Sequence, residues 1–498
     1  MKRYLSFIGT IILTMIFSVS SAFALTENYL FNLNAFKGER PMNFWEVVLI
    51  VVNFSLLSWI LLVGRETKKW SKLATLVAVV MVTVQLLAEG FRWQMIPAYV
   101  SPVILILCYF LAGRKKGFRN WGMFIVKTLL LSIYLTVAVA LPLLMPVFSL
   151  EEPTGPHRVG TKLYHWVDHE RNEPYSKNPA DRRELMVQIW YPADEKSKGD
   201  REPYIRNINE LSKGLEKTLS IPAFAFSHMV LVKSHSFMDL QLSDSENQYP
   251  ILLFSHGFNG FRNQNTFEVE ELASQGYIVL SIDHTFDAAA TVFPDGRTAY
   301  VQPVNLTDDE GDRHIKLWEE DVTFVLNQIE KLNQNDETGF FTGRLDTSRI
   351  GMFGHSYGGA TAAQILAKDS RVKAAIDMDG TLYGETLPES GIGKPFLLMS
   401  AEEPDEADPY IVRERYERGL AGGGMSMVIP RTDHTSFTDL HLFSPLLQSP
   451  GEKPKEVHRI INEFSLAFFD QYVKQKDDGS TLKRLKTKYP EVNLTVNR

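Results

Sequence analysis

The spacing of hydrophobic residues divides the chain into two parts. Apolar runs dominate the first 149 residues, and the four longest are residues 44–63, 73–88, 98–113 and 121–148. A helix needs about 20 apolar residues to cross a bilayer, so we predict an all-α transmembrane region with about four helices. The second and third runs are short, and would require tilting or local thinning of the bilayer. Buried helices of a soluble domain are the disfavoured alternative, because the runs extend over so much consecutive sequence.

The extreme amino end leaves two interpretations open. It has a charged start at Lys2 and Arg3, an apolar run at residues 7–17, and small residues at Ala22 and Ala24 that fit a signal-peptidase site. Residues 1–24 are therefore a cleaved signal peptide or a first transmembrane helix. The predicted transmembrane domain then covers residues 25–149, and the remaining domain covers residues 150–498.

In the second part, short apolar runs alternate with amphipathic segments. The runs predict strands at residues 183–192, 250–255, 277–283, 350–353, 373–378, 395–400 and 425–430; the longer segments predict helices at residues 207–218, 308–334, 360–368 and 455–474. Such alternation is typical of an α/β fold with a mostly parallel sheet covered by helices on both faces. Residues 151–160 are a predicted linker. Residues 221–237, rich in Phe and Met, are predicted as a helix packed on the sheet or as a cap over a pocket.

Charge follows the same division. Residues 1–149 hold 14 Lys and Arg against 5 Glu, whereas the rest holds 38 basic against 54 acidic residues. An acidic second part argues against nucleic acid as a partner, since phosphate binding needs clustered basic residues. Ten of the basic residues flanking the predicted spans fall on one side and three on the other. Because cytoplasmic loops carry the excess of basic residues, we expect a multi-pass cell-membrane protein whose second domain is extracytoplasmic.

The segment Gly354-His-Ser-Tyr-Gly358 has the form of a nucleophile elbow. It follows a predicted buried strand and precedes a predicted helix, which is the context in which G-x-S-x-G carries a catalytic serine. Glycines are expected on both sides because the serine sits at strained backbone angles, where a neighbouring side chain would collide with the strand or the helix. This pattern predicts Ser356 as a nucleophile and the second domain as an α/β-hydrolase fold.

A nucleophilic serine needs a base and an acid, which follow in the order Ser, Asp or Glu, His in this architecture. Asp377 and Asp379 end the strand after the elbow, and His434 follows the last predicted parallel strand. The two carboxylates have equal strand parity, so periodicity does not choose between them. Asp379 is favoured because Gly380 directly after it permits a turn beyond the strand.

An oxyanion hole is expected from two backbone amides. The residue after the nucleophile supplies the first, here Tyr357, and the loop after the strand at residues 250–255 supplies the second, with Phe258 as the candidate. His256 is predicted to fix that loop rather than to react. No cofactor is expected, because no Cys/His cluster has metal-ligand spacing and no Gly-rich phosphate loop follows a strand. Cys108, the only cysteine, lies in a predicted span.

A set of motifs in the second part is characteristic of one enzyme family. They are Ile189-Trp-Tyr-Pro192, Phe254-Ser-His-Gly-Phe-Asn-Gly-Phe-Arg262, Ile282-Asp-His-Thr-Phe-Asp-Ala-Ala-Ala-Thr291, Gly354-His-Ser-Tyr-Gly-Gly-Ala-Thr361, Asp379 and His434-Thr-Ser-Phe-Thr-Asp439. With these motifs the second part resembles the platelet-activating factor acetylhydrolases, as a bacterial, membrane-anchored relative. The resemblance implies a calcium-independent serine hydrolase that releases short or oxidised acyl chains from phospholipids, with Asp379 as the acid. It does not extend to the first 150 residues.

The leading interpretation is a serine hydrolase of lipid or short-acyl esters. A general carboxylesterase or polyester hydrolase of the same fold is the first alternative, and the elbow does not separate the two. A non-catalytic membrane receptor or scaffold is the second, and the order of Ser356, Asp379 and His434 weighs against it. A lipid or small ester substrate and the membrane are the expected partners, and the sequence does not predict an oligomeric state.

Overall fold

The computed structural model describes residues 42–63, 68–111, 121–304, 306–402 and 409–497. The predicted signal peptide and most basic residues used for the orientation lie outside these ranges. The described residues form two compact units. One contains the residues up to Phe148 together with Leu442–Leu446, and the other contains the remaining residues.

The first unit is all-helical in its described part. Its helices are α1 (Phe44–Ser58, continued by a π-helical turn at Trp59–Val63), α2 (Lys68–Glu89), α3 (Ile96–Leu111) and α4 (Trp121–Leu144). Four segments are long and apolar enough to cross a membrane: Phe44–Leu62, Trp70–Glu89, Trp93–Phe110 and Trp121–Leu144. The second and third are thus longer than the short runs predicted from the sequence. Their tryptophans and flanking polar residues lower the local hydropathy without ending the helices.

Buried polar groups tie the ends of three helical segments of this unit together. The first amides of a helix have no partner within it. Here Glu89, at the end of α2, accepts hydrogen bonds from the amides of Trp45 and Glu46 at 2.8 and 3.0 Å. Arg92, which is buried, donates from Nη2 to Glu46 Oε2 at 2.6 Å. The start of α1 is therefore held by charged groups from the α2–α3 connection.

The second unit is built on one eleven-stranded sheet. Its strands are β1 (Arg158–Asn172), β2 (Arg182–Ala193), β3 (Arg201–Pro203), β4 (Lys233–Met238), β5 (Tyr249–Ser255), β6 (Ile278–Asp283), β9 (Leu345–His355), β10 (Val372–Met378), β11 (Phe396–Ala401), β12 (Met425–Ile429) and β13 (Asn493–Val496). Their order in the sheet is β13-β12-β11-β10-β9-β5-β6-β2-β1-β4-β3. The strands from β6 to β12 in this order are all parallel, and antiparallel strands flank them. A small hairpin pairs β7 (Ala290–Val292) with β8 (Thr298–Tyr300).

The helices of this unit are α5 (Ile208–Leu219), α6 (Thr266–Ser274), α7 (Asp308–Gln334), α8 (Tyr357–Lys368), α9 (Pro409–Leu420), α10 (Pro454–Tyr472) and α11 (Ser480–Lys488). Of these, α6 to α9 lie between strands of the parallel part of the sheet. Short 3-10 helices occur at Ala223–Leu231, His434–Phe437, Asp439–Leu442 and Pro445–Leu447. The unit is therefore a mixed α/β fold with a large central sheet, as the alternating pattern predicts.

Successive residues of a strand point to opposite faces of the sheet, and both faces of the central strands are covered. On one face, Ile251 and Leu253 of β5 pack in a buried cluster with Val325 of α7 and Ala363 of α8. On the other face, the ring of Phe353 lies 6.0 Å from that of Phe469 on α10. The central strands are thus covered by helices on both faces.

Two sequence expectations were wrong in detail. Residues 221–237 do not form one helix, because the 3-10 helix at Ala223–Leu231 is followed by strand β4; a cap over a pocket stays a prediction. The predicted linker at residues 151–160 overlaps the start of β1, a strand that the sequence did not reveal. That strand is only half-buried along much of its length, so its apolar pattern is weak.

Candidate active site

Ser356 lies at the sharp turn between β9 and α8, with φ 55° and ψ −121°. This is a region of backbone space that residues other than glycine rarely occupy. The glycines around it are required by space. A Cβ on Gly354 would overlap the backbone of Gly358, and a Cβ on Gly358 would overlap the carbonyl oxygen of Ser255 on β5. The elbow is therefore packed too closely against β5 and α8 for any side chain at these two positions.

Asp379 and His434 meet at the carboxyl end of the sheet. His434 Nδ1 lies 2.7 Å from Asp379 Oδ2, and the other carboxylate oxygen accepts the Ala401 amide at 2.8 Å. Asp379 follows β10 in a left-handed conformation, with φ 56°. Its side chain is nearly buried, whereas that of His434 is 28% exposed. The Asp379 carboxylate is thus held by strand β11, and the His434 imidazole in contact with it is partly exposed.

Backbone contacts bring this pair to the serine. The Ser356 amide donates to the carbonyl oxygen of Met378, the last residue of β10, at 2.8 Å. The ring of His434 lies against that of His355, the residue before the serine, with centroids 4.5 Å apart. The structure therefore places Ser356, Asp379 and His434 together at one edge of the sheet.

Asp377, the other carboxylate of β10, is buried beneath the elbow. Its Oδ1 accepts the Gly380 amide at 2.8 Å, and a Cβ on Gly359 would overlap this oxygen. Burial raises the pKa of Asp377 well above its usual range, although the Gly380 hydrogen bond opposes the shift. Asp377 thus braces the turn after β10, whereas the carboxylate that contacts the His434 imidazole is that of Asp379.

The two amides expected to form the oxyanion hole lie on neighbouring residues. The rings of Phe258 and Tyr357 contact each other edge to face, with centroids 5.7 Å apart. In the described part of the chain, neither amide is a hydrogen-bond donor to another group of the protein. Tyr357 N is also at the first position of α8, where amides have no partner inside the helix. Both amides are thus available to an external acceptor.

We name residues 256–260 the oxyanion loop, and His256 holds it from within. His256 Nε2 accepts the His284 amide at 3.2 Å, so its Nδ1 carries the proton and donates to the Gly257 carbonyl at 2.7 Å. Burial lowers the pKa of His256 to about 3, with His284 nearby as a second cause. A neutral, buried imidazole with both nitrogens occupied is a structural group.

The loop after β6 supports the oxyanion loop from below, a role the sequence did not reveal. Asp287 accepts hydrogen bonds from Tyr175, His314 and Trp318 at 2.8 to 2.9 Å, and its carbonyl accepts the Asn259 amide at 3.0 Å. In the sequence, the only sign of this role is that Asp287 is an acidic residue within the motif at residues 282–291. The motif does not indicate which residues Asp287 contacts.

Aromatic and apolar side chains line the region beside the oxyanion amides. Ile315 and Trp318 of α7 and Tyr357 of α8 form a buried cluster, against which Phe258 and Tyr383 pack. The ring of Phe258 lies parallel to that of Trp318 at 6.4 Å. Phe258 and Tyr383 are partly exposed and can contact a substrate, whereas Ile315, Trp318 and Tyr357 are buried behind them.

Within the ranges that the structure covers, no group of three or more His, Cys, Asp or Glu side chains is arranged to hold a metal ion. A polar cavity of about 180 Å³ lies beyond Tyr383. Asp312, Leu382, Arg415 and Arg418 are among its lining residues, and Arg415 is paired with Asp312 at 2.6 and 2.8 Å. Its guanidinium groups therefore already have carboxylate partners.

A family model described as platelet-activating factor acetylhydrolase, isoform II, matches residues 146–488. The chain belongs to this family. The match begins near the boundary between the two units and spans the whole sheet except β13. The family resemblance expected from the motifs is thereby confirmed, whereas the bacterial source and membrane anchoring stay predictions.

Named relatives agree with this membership. The chain is 26% identical over 351 residues to a platelet-activating factor acetylhydrolase of Cavia porcellus, covering 63% of this chain and 79% of the relative. It is 26% identical over 385 residues to a probable 1-alkyl-2-acetylglycerophosphocholine esterase of Arthroderma benhamiae, covering 69% and 93%. The chain is therefore a carboxylic ester hydrolase.

A solved structure extends the likeness to the fold. The ferulic acid esterase from Streptomyces cinnamoneus is 28% identical, with a TM-score of 0.56, and the match covers 70% of this chain and 99% of that esterase. The mixed α/β unit is thus built like that of an esterase, consistent with an α/β-hydrolase fold.

Proposed function

We propose that the second unit is an α/β-hydrolase in which Ser356, His434 and Asp379 act as nucleophile, base and acid. The observation that carries this assignment is the 2.7 Å contact between Asp379 Oδ2 and His434 Nδ1 beside the elbow serine. With its Nδ1 proton donated to Asp379, the neutral imidazole presents Nε2 as a proton acceptor. Family membership supports the same assignment.

In the proposed reaction, Ser356 Oγ attacks the carbonyl carbon of the ester while His434 Nε2 takes the hydroxyl proton. The negative charge develops on the carbonyl oxygen, where the Phe258 and Tyr357 amides stabilise it. Collapse of the tetrahedral intermediate breaks the bond to the alcohol, which receives the proton from His434. Water then attacks the acyl-serine by the same route and releases the acid.

The proposed substrates are lipid esters with a short acyl group, of the 1-alkyl-2-acetylglycerophosphocholine type. This rests on the family and on the names of the mammalian and fungal relatives. The partly exposed rings of Phe258 and Tyr383 suit a substrate with a lipid part. A carboxylesterase acting on aromatic or polymeric esters is the second candidate, favoured by the structural likeness to a ferulic acid esterase.

A fluorophosphonate probe followed by a panel of esters tests this proposal. We expect covalent labelling of Ser356, located by mass spectrometry, in the folded protein only. The panel contains acetyl and long-acyl phospholipids, a feruloyl ester and a polyester fragment, each with and without chelator. Faster turnover of the acetyl phospholipid supports short-acyl lipid esters as the substrates, whereas preference for the feruloyl ester favours the second candidate. Labelling at another serine would remove Ser356 from the mechanism.

We also propose that the first unit anchors the enzyme in a cell membrane with the hydrolase unit outside the cytoplasm. Four helices of suitable length and apolar composition support the anchoring. The orientation rests on the ten-to-three asymmetry of Lys and Arg residues around the predicted spans. A substrate in the outer leaflet would then be accessible without transport.

Single cysteines placed at Arg40 and at Lys116 in a Cys108→Ser background test the orientation. Both positions lie outside the described residues, in connections predicted to face opposite sides of the membrane. We expect an impermeant maleimide to label the Arg40→Cys variant in intact cells and the Lys116→Cys variant only after permeabilisation. The reverse pattern would place the hydrolase unit in the cytoplasm.

A further inference from the structure

His355, the residue before the elbow serine, is buried, and both of its ring nitrogens are engaged. Its Nε2 lies 2.9 Å from the backbone carbonyl oxygen of His434, and its Nδ1 lies 2.9 Å from the side-chain nitrogen of Gln264. Only 5% of His355 and 1% of Gln264 are exposed. A buried polar pair of this kind links three loops that are far apart in the sequence.

The partners fix the tautomer of His355. A carbonyl oxygen accepts only, so Nε2 must carry a proton and donate to His434. Nδ1 then accepts from the Gln264 amide nitrogen. A second proton on Nδ1 would face a donor, and burial likewise lowers the pKa of His355 well below its usual range. The imidazole is therefore a neutral, fixed hydrogen-bond donor to the residue proposed as the base.

The oxyanion loop is shaped around this pair. A Cβ on Gly257 would lie 2.8 Å from His355 Nδ1, and a Cβ on Gly260 would overlap the side-chain oxygen of Gln264. The backbone carbonyl oxygen of Gln264 accepts a hydrogen bond from the Asp439 amide at 2.7 Å. Asp439 lies just beyond the 3-10 helix that begins at His434. Gly257 and Gly260 therefore leave room for the side chains of His355 and Gln264.

We propose that His355 is a positioning residue that holds the His434 imidazole in place beside Ser356. Gln264 in turn holds His355 in the tautomer that donates from Nε2 to His434. The inference rests on the proposed function of Ser356 and His434. His355 acts through two contacts: its Nε2–H fixes the His434 backbone, and its ring supports the His434 ring at 4.5 Å. Displacement of a catalytic group by about 1 Å is enough to cost about 10²-fold in rate.

The test compares His355→Phe, which keeps a ring but has no donor, with His355→Gln, whose side-chain nitrogen reaches the position of Nε2. Turnover of a short-chain chromogenic ester is measured per Ser356 site titrated with the fluorophosphonate probe. We expect His355→Phe to lower kcat by about 10²-fold with KM unchanged, and His355→Gln to restore kcat to within about tenfold of the parent. Gln264→Leu should lower kcat in the same direction by a smaller factor.

His169→Phe, the same substitution at an exposed histidine, is the matched control and should leave kcat unchanged. Thermal unfolding of each variant separates loss of folded protein from loss of turnover. A kcat for folded His355→Phe equal to that of the parent, or equal losses in His355→Phe and His355→Gln, would overturn the inference. If Ser356 is not the labelled residue in the parent, the proposed function fails first, and this outcome is distinct from either result.

Discussion

Asp379→Asn is expected to lower kcat for ester hydrolysis by about 10⁴-fold, the loss measured when the orienting acid of a triad becomes an amide. The Asp379 carboxylate accepts from His434 Nδ1 at 2.7 Å, so the imidazole keeps its proton on that nitrogen. An asparagine at this position offers its amide nitrogen as a donor, and the imidazole turns to the other tautomer. Its Nε2 is then protonated and does not accept the serine proton.

Asp377→Asn is the matched comparison on the same strand. We expect its kcat to stay within about tenfold of the parent, or ~1.4 kcal/mol of barrier, because an amide oxygen can still accept the Gly380 amide. Folding raises the pKa of the Asp377 carboxyl, so its ionisation destabilises the folded state as pH rises above the unfolded pKa. An amide does not ionise, so at alkaline pH Asp377→Asn should be more stable than the parent. Purified variants assayed on a chromogenic ester decide the matter. An inactive Asp377→Asn beside a near-normal Asp379→Asn would reverse the roles.

Features with a local signature were predictable from the sequence. Buried parallel strands are continuous apolar runs, so β9 and β10 were located from composition alone, and Ser356 and Asp379 could be assigned to strand ends. The long helix α7 has the predicted bounds because its apolar positions repeat with helical spacing over many turns. The choice of Asp379 over Asp377 needed the turn at Gly380, which is also a local feature.

Features that depend on tertiary contacts were not predictable. Nothing near His355 in the sequence indicates that its partners are Gln264 and the His434 carbonyl, since these lie 91 and 79 residues away. Strand β1 was missed because a half-buried antiparallel strand has weak alternation, and its pairing with β2 is what stabilises it. The positions of the candidate site residues thus follow from local patterns, whereas the residues that support them follow from packing.

The largest loss of activity is expected at the nucleophile itself. Ser356→Ala and Ser356→Gly should each lower kcat by about 10⁶-fold, because no other hydroxyl replaces the attacking oxygen. The two variants should differ in stability. A residue with a Cβ at φ 55° and ψ −121° is strained by about 1–3 kcal/mol, and glycine removes that strain.

Glycine also increases the conformational entropy of the unfolded chain, which costs about 0.4–1 kcal/mol. The net expectation is that Ser356→Gly is more stable than Ser356→Ala by about 1 kcal/mol, and therefore unfolds at a higher temperature in the same detergent. Ser220→Gly is the control at a second serine with φ 55°, which is exposed at the end of α5 and whose ψ of 25° lies in the allowed left-handed region. It should gain less stability than the elbow position does, with its activity intact. If Ser220→Gly is stabilised but Ser356→Gly unfolds below Ser356→Ala, the elbow stores no strain at the serine.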